Sequence, residues 1–253
     1  MKDNLNKLYD QTFYSTHGEG MSRSSAIVLG MLFEHYKPRS VVDIGCGQGA
    51  WLAAAERLGV QNLTGMDGEW VNRDALFSKN IDFKPVNFDK AIPKLDEKYD
   101  LCISLEVAEH VSESKAKDFV DLLCRASDVV LFSAAIKLQG GTNHINEQWQ
   151  SYWIKLFEAN GFECLDILRG ALWNDDSVEW WYKQNMFVFV RPDKSPAMHS
   201  LRALRTPVFD IAHPANYEEK INSYKLQIGR PTLRFCLGCI QRYILSKFRR
   251  AAV

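Results

Sequence analysis

The sequence predicts an α/β fold in which helices cover both faces of a mostly parallel β-sheet. From residue 40 to residue 190, short β-branched runs alternate with segments of helical period, as in parallel strands joined by crossover helices. The first of these runs leads into a glycine turn and a helix start, at residues 41–52. With 253 residues, 46% of them hydrophobic, the chain can bury the core of one such domain and carry an appendage.

The strands and helices are predicted in an alternating order. Strands are expected at residues 41–44, 62–67, 81–86, 99–105, 129–133, 162–168 and 186–190. Helices are expected at residues 49–58, 113–127 and 150–159, the last followed by a left-handed stop at Asn160 and Gly161. No helix-length periodic segment separates the last two strands. We therefore expect them to form an antiparallel pair at the edge of the sheet.

The composition predicts three regions. Residues 1–39 form an N-terminal helical cap over the ligand pocket, with a helix at 25–36 whose apolar positions are Ile27, Leu29, Leu32 and Phe33. Residues 40–190 form the α/β core. Residues 191–253 form a basic C-terminal helical extension, which follows a Pro-rich linker at 191–196.

The net charge of zero hides an asymmetry between the core and the extension. Residues 191–253 hold 12 basic and 4 acidic residues, whereas residues 1–190 hold 19 and 27. The predicted helix at 231–250 places apolar residues on one stripe and basic residues largely off it: Leu233, Leu237, Ile240, Ile244 and Phe248 against Arg234, Arg242, Lys247, Arg249 and Arg250. This helix packs against its own domain or a second subunit, or it contacts a membrane surface peripherally. The polar N-terminus and the lack of a long apolar run predict a cytoplasmic protein.

The glycine turn after the first strand predicts a nucleoside site. Gly45, Gly47 and Gly49 permit positive φ and close approach of a ligand, and the following helix offers free N–H groups. Asp67 follows Gly49 by 18 residues, close to the spacing of a carboxylate that binds ribose hydroxyls. Asp43, at the head of the turn, suits a cationic ligand better than a phosphate.

This pattern resembles the first motif of class I S-adenosylmethionine (SAM) methyltransferases. The resemblance implies a Rossmann-like, seven-stranded sheet with one antiparallel edge strand, and SAM as cofactor. It also implies the cofactor-binding residues. Asp43, Gly45, Cys46 and Gly47 would face the amino-acid end of SAM, Asp67 the ribose and Asp89 the adenine amine, with Leu105 and Glu106 under the ribose and methyl group. Asp89 also reads as an ordinary turn or helix N-cap residue.

Two segments supply candidate catalytic residues. Glu106, Glu109 and His110 stand at i, i+3 and i+4 after the fourth strand, so one helical turn would place them on the same side. His144 lies in the polar loop after the fifth strand and would reach them. These four residues suit a divalent ion such as Mg²⁺, Mn²⁺ or Zn²⁺, which would make a bound hydroxyl more acidic. Alternatively, His144 is a metal-free general base, or it only caps the helix at 150–159 or shapes the loop.

The Glu-x-x-Glu-His run with a distal His resembles the metal-binding set of small-RNA 3′-terminal 2′-O-methyltransferases and of ubiquinone-biosynthesis O-methyltransferases. The sequence departs from the RNA enzymes at residues 132–138, and its acidic core disfavours a nucleic acid. Residues 144–153 and 213–220 resemble bacterial methyltransferases of glycan and natural-product pathways. Five tryptophans are candidates for an aromatic wall around the acceptor or for ordinary core residues: Trp149, Trp153, Trp173, Trp180 and Trp181.

Together these observations predict a SAM-dependent O-methyltransferase that acts on a hydroxyl of a sugar, a glycan precursor or another small molecule. His144 is the predicted base, helped by His110 and Glu109 or by an ion that they hold. Two alternatives are a metal-dependent RNA 2′-O-methyltransferase and a SAM-fold module that binds a partner without catalysis.

Overall fold

The computed structural model describes residues 11–88, 92–93, 95, 97–192, 209–229 and 231–250. The chain divides into two compact units, Met1–Ala212 and His213–Val253. Most of the predicted linker, residues 193–196, and the candidate Asp89 lie outside the described residues.

The larger unit contains a seven-stranded sheet in the order β3-β2-β1-β4-β5-β7-β6. The strands are β1 Ser40–Ile44, β2 Asn62–Asp67, β3 Asp82–Pro85, β4 Leu101–Leu105, β5 Val129–Ser133, β6 Glu163–Leu165 and β7 Phe187–Val190. Strands β1 to β5 are parallel, and β7 pairs antiparallel with both β5 and the edge strand β6. The predicted α/β class and the antiparallel pair at the sheet edge are confirmed.

Eight α-helices are present among the described residues. They are α1 Gln11–His35, α2 Ala50–Arg57, α3 Glu113–Ala126, α4 Gln150–Ala159, α5 Arg169–Leu172, α6 Trp180–Asn185, α7 Pro214–Gly229 and α8 Leu233–Arg250. Two 3₁₀ turns, Arg73–Ala75 and Ala108–His110, lie in the loops after β2 and β4. No helix in the described ranges is both long enough and apolar enough to cross a lipid bilayer.

The sheet is buried on both faces. One cluster of buried side chains includes Leu29 from α1 and Leu52 from α2. The opposite cluster includes Phe119 from α3 and Trp153 from α4. Since parallel strands covered on both faces carry few polar residues, this packing explains the nearly continuous apolar runs in β1, β4 and β5.

The chain reverses its direction of travel across the sheet between β1 and β4. Strands β2 and β3 lie on one side of β1, and β4 and β5 lie on the other. Asp43 of β1 is in register with Gly65 of β2 and Ile103 of β4, so the carboxyl ends of these three strands lie at one edge. Ligands of open α/β sheets bind in the crevice beyond such a switch point.

Several element boundaries differ from the prediction. Helix α1 begins at Gln11, well before the predicted residue 25. The prediction missed its N-terminal half because that half has no regular apolar period of the kind that marks a helix. The predicted strands at 81–86, 99–105 and 162–168 are shorter in the structure. Two short helices, α5 and α6, occupy the connection between β6 and β7, where the prediction has none. Helices of four and six residues are too short to show a period.

Candidate active site

The predicted glycine turn is present at the end of β1. Gly45, Gly47 and Gly49 have φ of 88°, 52° and 78°, which lie in the left-handed region that favours glycine. Gly49 directly precedes α2. A Cβ atom on Gly49 would lie 2.6 Å from Ile81 Cδ1, and one on Gly45 would overlap the Val107 side chain. The backbone conformation thus favours glycine at all three positions, and at Gly45 and Gly49 a Cβ atom would also require Val107 or Ile81 to move.

Asp67 fastens the glycine turn to the end of β2. The Gly47 N–H donates to Asp67 Oδ2 at 2.7 Å, and the Gly68 N–H donates to Oδ1 at 2.6 Å. Each carboxylate oxygen keeps a second acceptor site, which suits a pair of ribose hydroxyls. Burial raises the pKa of Asp67, and the amides of Gly47 and Gly68 oppose that rise.

The other predicted cofactor residues of the turn and of β4 lie around this crevice. Asp43 is 3% exposed, and burial followed by the charge of Asp67 raises its pKa well above the ordinary value. Cys46 is buried, and burial raises the pKa of its thiol. Leu105 is buried at the end of β4. The two neighbouring carboxyl groups make the crevice acidic, which favours a cationic ligand.

Glu106 was predicted to join the metal-ligand set, but it is not among the residues whose ligand atoms lie within 4.8 Å of one another. Its carboxylate accepts hydrogen bonds from Asn185 Nδ2 at 3.2 Å and from Gln139 Nε2 at 3.3 Å. Glu106 has φ of 55°, so the chain leaves β4 in a left-handed conformation and does not continue as the regular helix that the i, i+3, i+4 spacing requires. The candidate ligand set is therefore Glu109, His110 and His144.

The pKa of Glu106 is raised to about 7, with burial as the largest cause and hydrogen bonds from Ser133, Asn185 and Gln139 opposing it. The folded state therefore holds this proton up to a higher pH than the unfolded chain, whose pKa is near 4.5. The contribution of Glu106 to the free energy of unfolding is therefore complete below pH 4.5 and is lost as the pH rises to about 7.

Between pH 4.5 and pH 7 the wild type should lose free energy of unfolding as Glu106 ionises. We expect Glu106→Gln to lose roughly 2–3 kcal/mol less over the same range, because glutamine does not ionise. Urea unfolding at a series of pH values measures the effect. Glu158→Gln, at an exposed position of α4, is the matched control and should follow the wild-type profile. A Glu106→Gln profile parallel to wild type would contradict the raised pKa.

Glu109, His110 and His144 form a compact group of potential ligands. One ligand atom from each lies within 4.8 Å of the others. Glu109 and His110 belong to the 3₁₀ turn after β4, and His144 approaches from the loop after β5. The rings of His110 and His144 meet edge to face with centroids 4.9 Å apart. The predicted meeting of the two segments is therefore present.

The carboxyl group of Glu109 is fully buried, and neither of its oxygens has a hydrogen-bond partner among the residues that the structure describes. His144 Nε2 lies 3.9 Å from Glu109 Oε1, beyond hydrogen-bond distance. Burial and the nearby charge of Glu106 raise the pKa of Glu109 well above its usual range. The amides of Glu109 and Ala135 oppose that rise. Such a group requires a proton or a cation.

Glu147 holds His144 in place, which the sequence did not indicate. Its Oε1 lies 2.9 Å from His144 Nδ1 and accepts the Gly140 N–H at 2.6 Å. Its Oε2 accepts the Leu138 N–H at 2.8 Å. One carboxylate thus closes the loop and orients the imidazole, which leaves Nε2 directed toward Glu109. The three-residue spacing between His144 and Glu147 is the one feature of the sequence that could have indicated this contact.

The loop is also attached to the 3₁₀ turn that carries Glu109. The amides of Ile145 and Asn146 donate to the Glu109 carbonyl at 2.9 and 3.0 Å. His110 Nδ1 lies 3.2 Å from the Asn143 carbonyl. These backbone contacts fix the distance between the two segments and so pre-organise the cluster.

His144 does not cap α4, the third interpretation of this residue. The N-cap of α4 is Trp149. Asp210 instead accepts hydrogen bonds from the backbone N–H and the hydroxyl of Ser151, each at 2.8 Å. His144 is therefore available for the cluster.

Trp153 is a core residue. It is 2% exposed and packs against Phe132, so it cannot form part of a wall around an acceptor. Trp149 is 38% exposed and lies at the end of the loop that carries His144. Another aromatic contact joins two residues that the sequence did not single out. Tyr182 of α6 packs edge to face on Trp51 of α2, with ring centroids 5.2 Å apart.

A seven-stranded sheet of this order, with a left-handed glycine turn after β1 and a carboxylate after β2, defines the class I methyltransferase fold. Residues 21–127 match the family model described as a methyltransferase domain. This match covers 107 of the 253 residues, from within α1 to the residue that follows α3.

Curated relatives are methyltransferases with different substrates. A mitochondrial ubiquinone biosynthesis O-methyltransferase of Dictyostelium discoideum is 24% identical over 188 residues, which are 59% of this chain and 57% of the relative. A ribosomal protein L11 methyltransferase of Lactobacillus johnsonii is 32% identical over 98 residues, 37% of this chain and 31% of the relative. The chain thus spans less than two thirds of the length of either relative.

Solved structures agree in fold. A magnesium protoporphyrin IX methyltransferase from Synechocystis PCC 6803 with bound SAH has a TM-score of 0.55 at 17% identity, over 76% of this chain and 100% of the other. An O-methyltransferase family protein from Burkholderia thailandensis has a TM-score of 0.50 at 13% identity, over 66% of this chain and 55% of the other. At these identities the likeness concerns the fold alone.

Proposed function

We propose that this protein transfers the methyl group of SAM to a hydroxyl oxygen of a sugar, a glycan precursor or another small molecule. The observation that carries the proposal is the position of the cluster Glu109, His110 and His144, in which Glu109 is buried and the two histidines are half-buried. It follows β4 and β5, and β4 is the direct neighbour of the strand that leads into the glycine turn. A donor in the turn and a base beyond the next strand would lie on the same edge of the sheet.

The glycine turn would hold the donor. The spare acceptor sites of Asp67 would bind the ribose hydroxyls, and Asp43 with the backbone of Gly45 and Gly47 would face the amino-acid end. Cys46, Leu105 and Glu106 would line the pocket, and Asp89 remains our prediction for the adenine amine. Because the crevice is acidic, it would attract the positive sulfonium more than the neutral product that remains after transfer.

His144 would be the general base. With Nδ1–H donated to Glu147, the neutral imidazole presents a lone pair at Nε2. As the sulfur–methyl bond breaks and the oxygen–methyl bond forms, the hydroxyl proton would pass to Nε2. Glu147 and Glu109 would then flank the imidazolium on its two sides. His110 would support the ring by its edge-to-face contact.

The same three residues fit a divalent cation. The buried carboxyl group of Glu109, which accepts no hydrogen bond within the described part of the chain, would supply an oxygen ligand, and two imidazoles would supply nitrogen ligands. A set of two nitrogens and one oxygen suits Mn²⁺ or Zn²⁺ better than Mg²⁺, which prefers oxygen. Glu147 would orient His144 as carboxylates orient metal-bound histidines. A bound ion would supply acidification of a coordinated hydroxyl.

The charge balance favours a small acceptor over a nucleic acid. Residues 1–190 hold 27 acidic and 19 basic residues, so a phosphate backbone would meet net repulsion. The ubiquinone relative, by its name an O-methyltransferase, supports oxygen as the accepting atom. A partner-binding role without catalysis is less favoured, because the glycine turn, Asp67 and the histidine cluster are all in place.

Incubation with methyl-labelled SAM tests the proposal. We expect label to enter a hydroxyl-bearing small molecule or glycan in a metabolite extract, identified by mass spectrometry, and not an RNA 3′ end. A parallel reaction with EDTA, followed by addition of Mn²⁺, Zn²⁺ or Mg²⁺, tests the cation. Activity unaffected by EDTA would leave His144 as a metal-free base, whereas label in RNA alone, with a metal requirement, would favour the RNA alternative.

A further inference from the structure

Helix α8 differs in charge from the rest of the chain. It extends over 18 residues, Leu233–Arg250, and contains five basic residues and no acidic one: Arg234, Arg242, Lys247, Arg249 and Arg250. At about 1.5 Å per residue, the helix is roughly 27 Å long. With no carboxylate on the helix, the cations have no i, i+4 partner of opposite charge.

The same helix exposes an apolar stripe. Leu233 is 77% exposed, Leu237 57% and Ile240 55%. Their spacing of four and three residues places them on one face, and Ile244 and Phe248 continue this spacing in the sequence. Arg234 and Arg242 lie away from the stripe by the same helical geometry. A large exposed apolar face with cationic flanks is typical of a helix that binds another surface.

The charges distinguish between the surfaces that could cover this stripe. A second copy of α8 would bring another five cations and no anion to pair with them. An anionic lipid surface offers phosphate groups to the basic side chains and an acyl boundary to the apolar ones. From this complementarity we propose that α8 lies along the surface of an anionic lipid membrane, with its apolar stripe in the interface. The proposal does not depend on the methyltransferase activity.

Flotation of the full chain with lipid vesicles tests this proposal. The protein should float with vesicles of equimolar phosphatidylglycerol and phosphatidylcholine, and not with phosphatidylcholine alone. Leu237→Ser with Ile240→Ser, and separately Arg234→Gln with Arg242→Gln, should each lower the partition coefficient by about tenfold or more. Rising salt should weaken binding of the wild type.

Matched controls separate the helix from general charge effects. Gln241→Ser changes an exposed residue outside the stripe, and Lys220→Gln with Lys225→Gln removes the same charge from α7. Both should float as wild type does, and circular dichroism should show equal helix content throughout. Equal flotation with and without the anionic lipid would overturn the proposal, as would equal losses from the α7 and α8 charge pairs. Loss of a dimer with unchanged flotation in Leu237→Ser, Ile240→Ser would assign the stripe to a subunit interface instead.

Discussion

His144→Ala is expected to lower kcat by about 10²-fold or more while leaving the affinity for SAM unchanged. The variant removes the lone pair at Nε2 that would accept the acceptor proton. The proposed donor site consists of the glycine turn, which follows β1, and Asp67, which ends β2. Single-turnover rates with labelled SAM measure the first quantity, and calorimetric titration with SAM measures the second.

A histidine outside the cluster provides the control for this change. His35 is exposed at the end of α1, so His35→Ala should turn over at the wild-type rate. Glu147→Gln should have a smaller effect of the same kind, because glutamine keeps one acceptor oxygen but not the charge opposite His144 Nδ1. If His144→Ala retained full turnover with a saturating acceptor, His144 would be neither base nor ligand.

Asp67→Ala is expected to weaken SAM binding by about 10²-fold. The change removes the two proposed ribose contacts and also frees the amides of Gly47 and Gly68 that the carboxylate now holds. Both effects act on the donor and neither acts on the proton transfer. At saturating SAM, kcat should therefore fall much less than the affinity does. Calorimetric titration with SAM and with its demethylated product measures the loss.

Asp118→Asn, at an exposed position of α3, removes a carboxylate without touching the turn and should bind SAM as wild type does. Asp67→Asn keeps the side-chain volume but turns an amide donor toward the backbone donors. Its affinity for SAM should therefore lie between that of the wild type and that of Asp67→Ala. Wild-type SAM affinity in Asp67→Ala would remove the basis for the donor site. A lower melting temperature in parallel would show that the loss of amide contacts also matters for folding.

The features that we propose bind the donor were predictable from the sequence because they are local. A left-handed turn requires glycine at Gly45, Gly47 and Gly49 whatever the surroundings are. Asp67 was found from its interval after the turn, since a βαβ unit fixes that distance. The structure adds that Asp67 binds the Gly47 amide directly.

The acceptor half was only partly predictable. The spacing of Glu106, Glu109 and His110 predicts a regular helical turn, but the backbone leaves β4 with φ of 55° at Glu106. The carboxylate of Glu106 therefore meets Asn185, which lies 79 residues further along the chain. No local pattern marks such a partner.

The sequence by itself determined the class of fold, the carboxyl edge of the sheet at which the site lies, and the meeting of His144 with Glu109. Hydrophobic period and the φ of glycine are properties of neighbouring residues, so they can be read along the chain. Only the tertiary structure decided that Glu106 binds Asn185 and Gln139, and that Glu147 orients His144. It also decided that Glu109 is buried with no hydrogen bond to its carboxyl oxygens from the residues that the structure describes. Those outcomes depend on which polar groups are buried next to one another, and packing between segments that are distant in the sequence determines this.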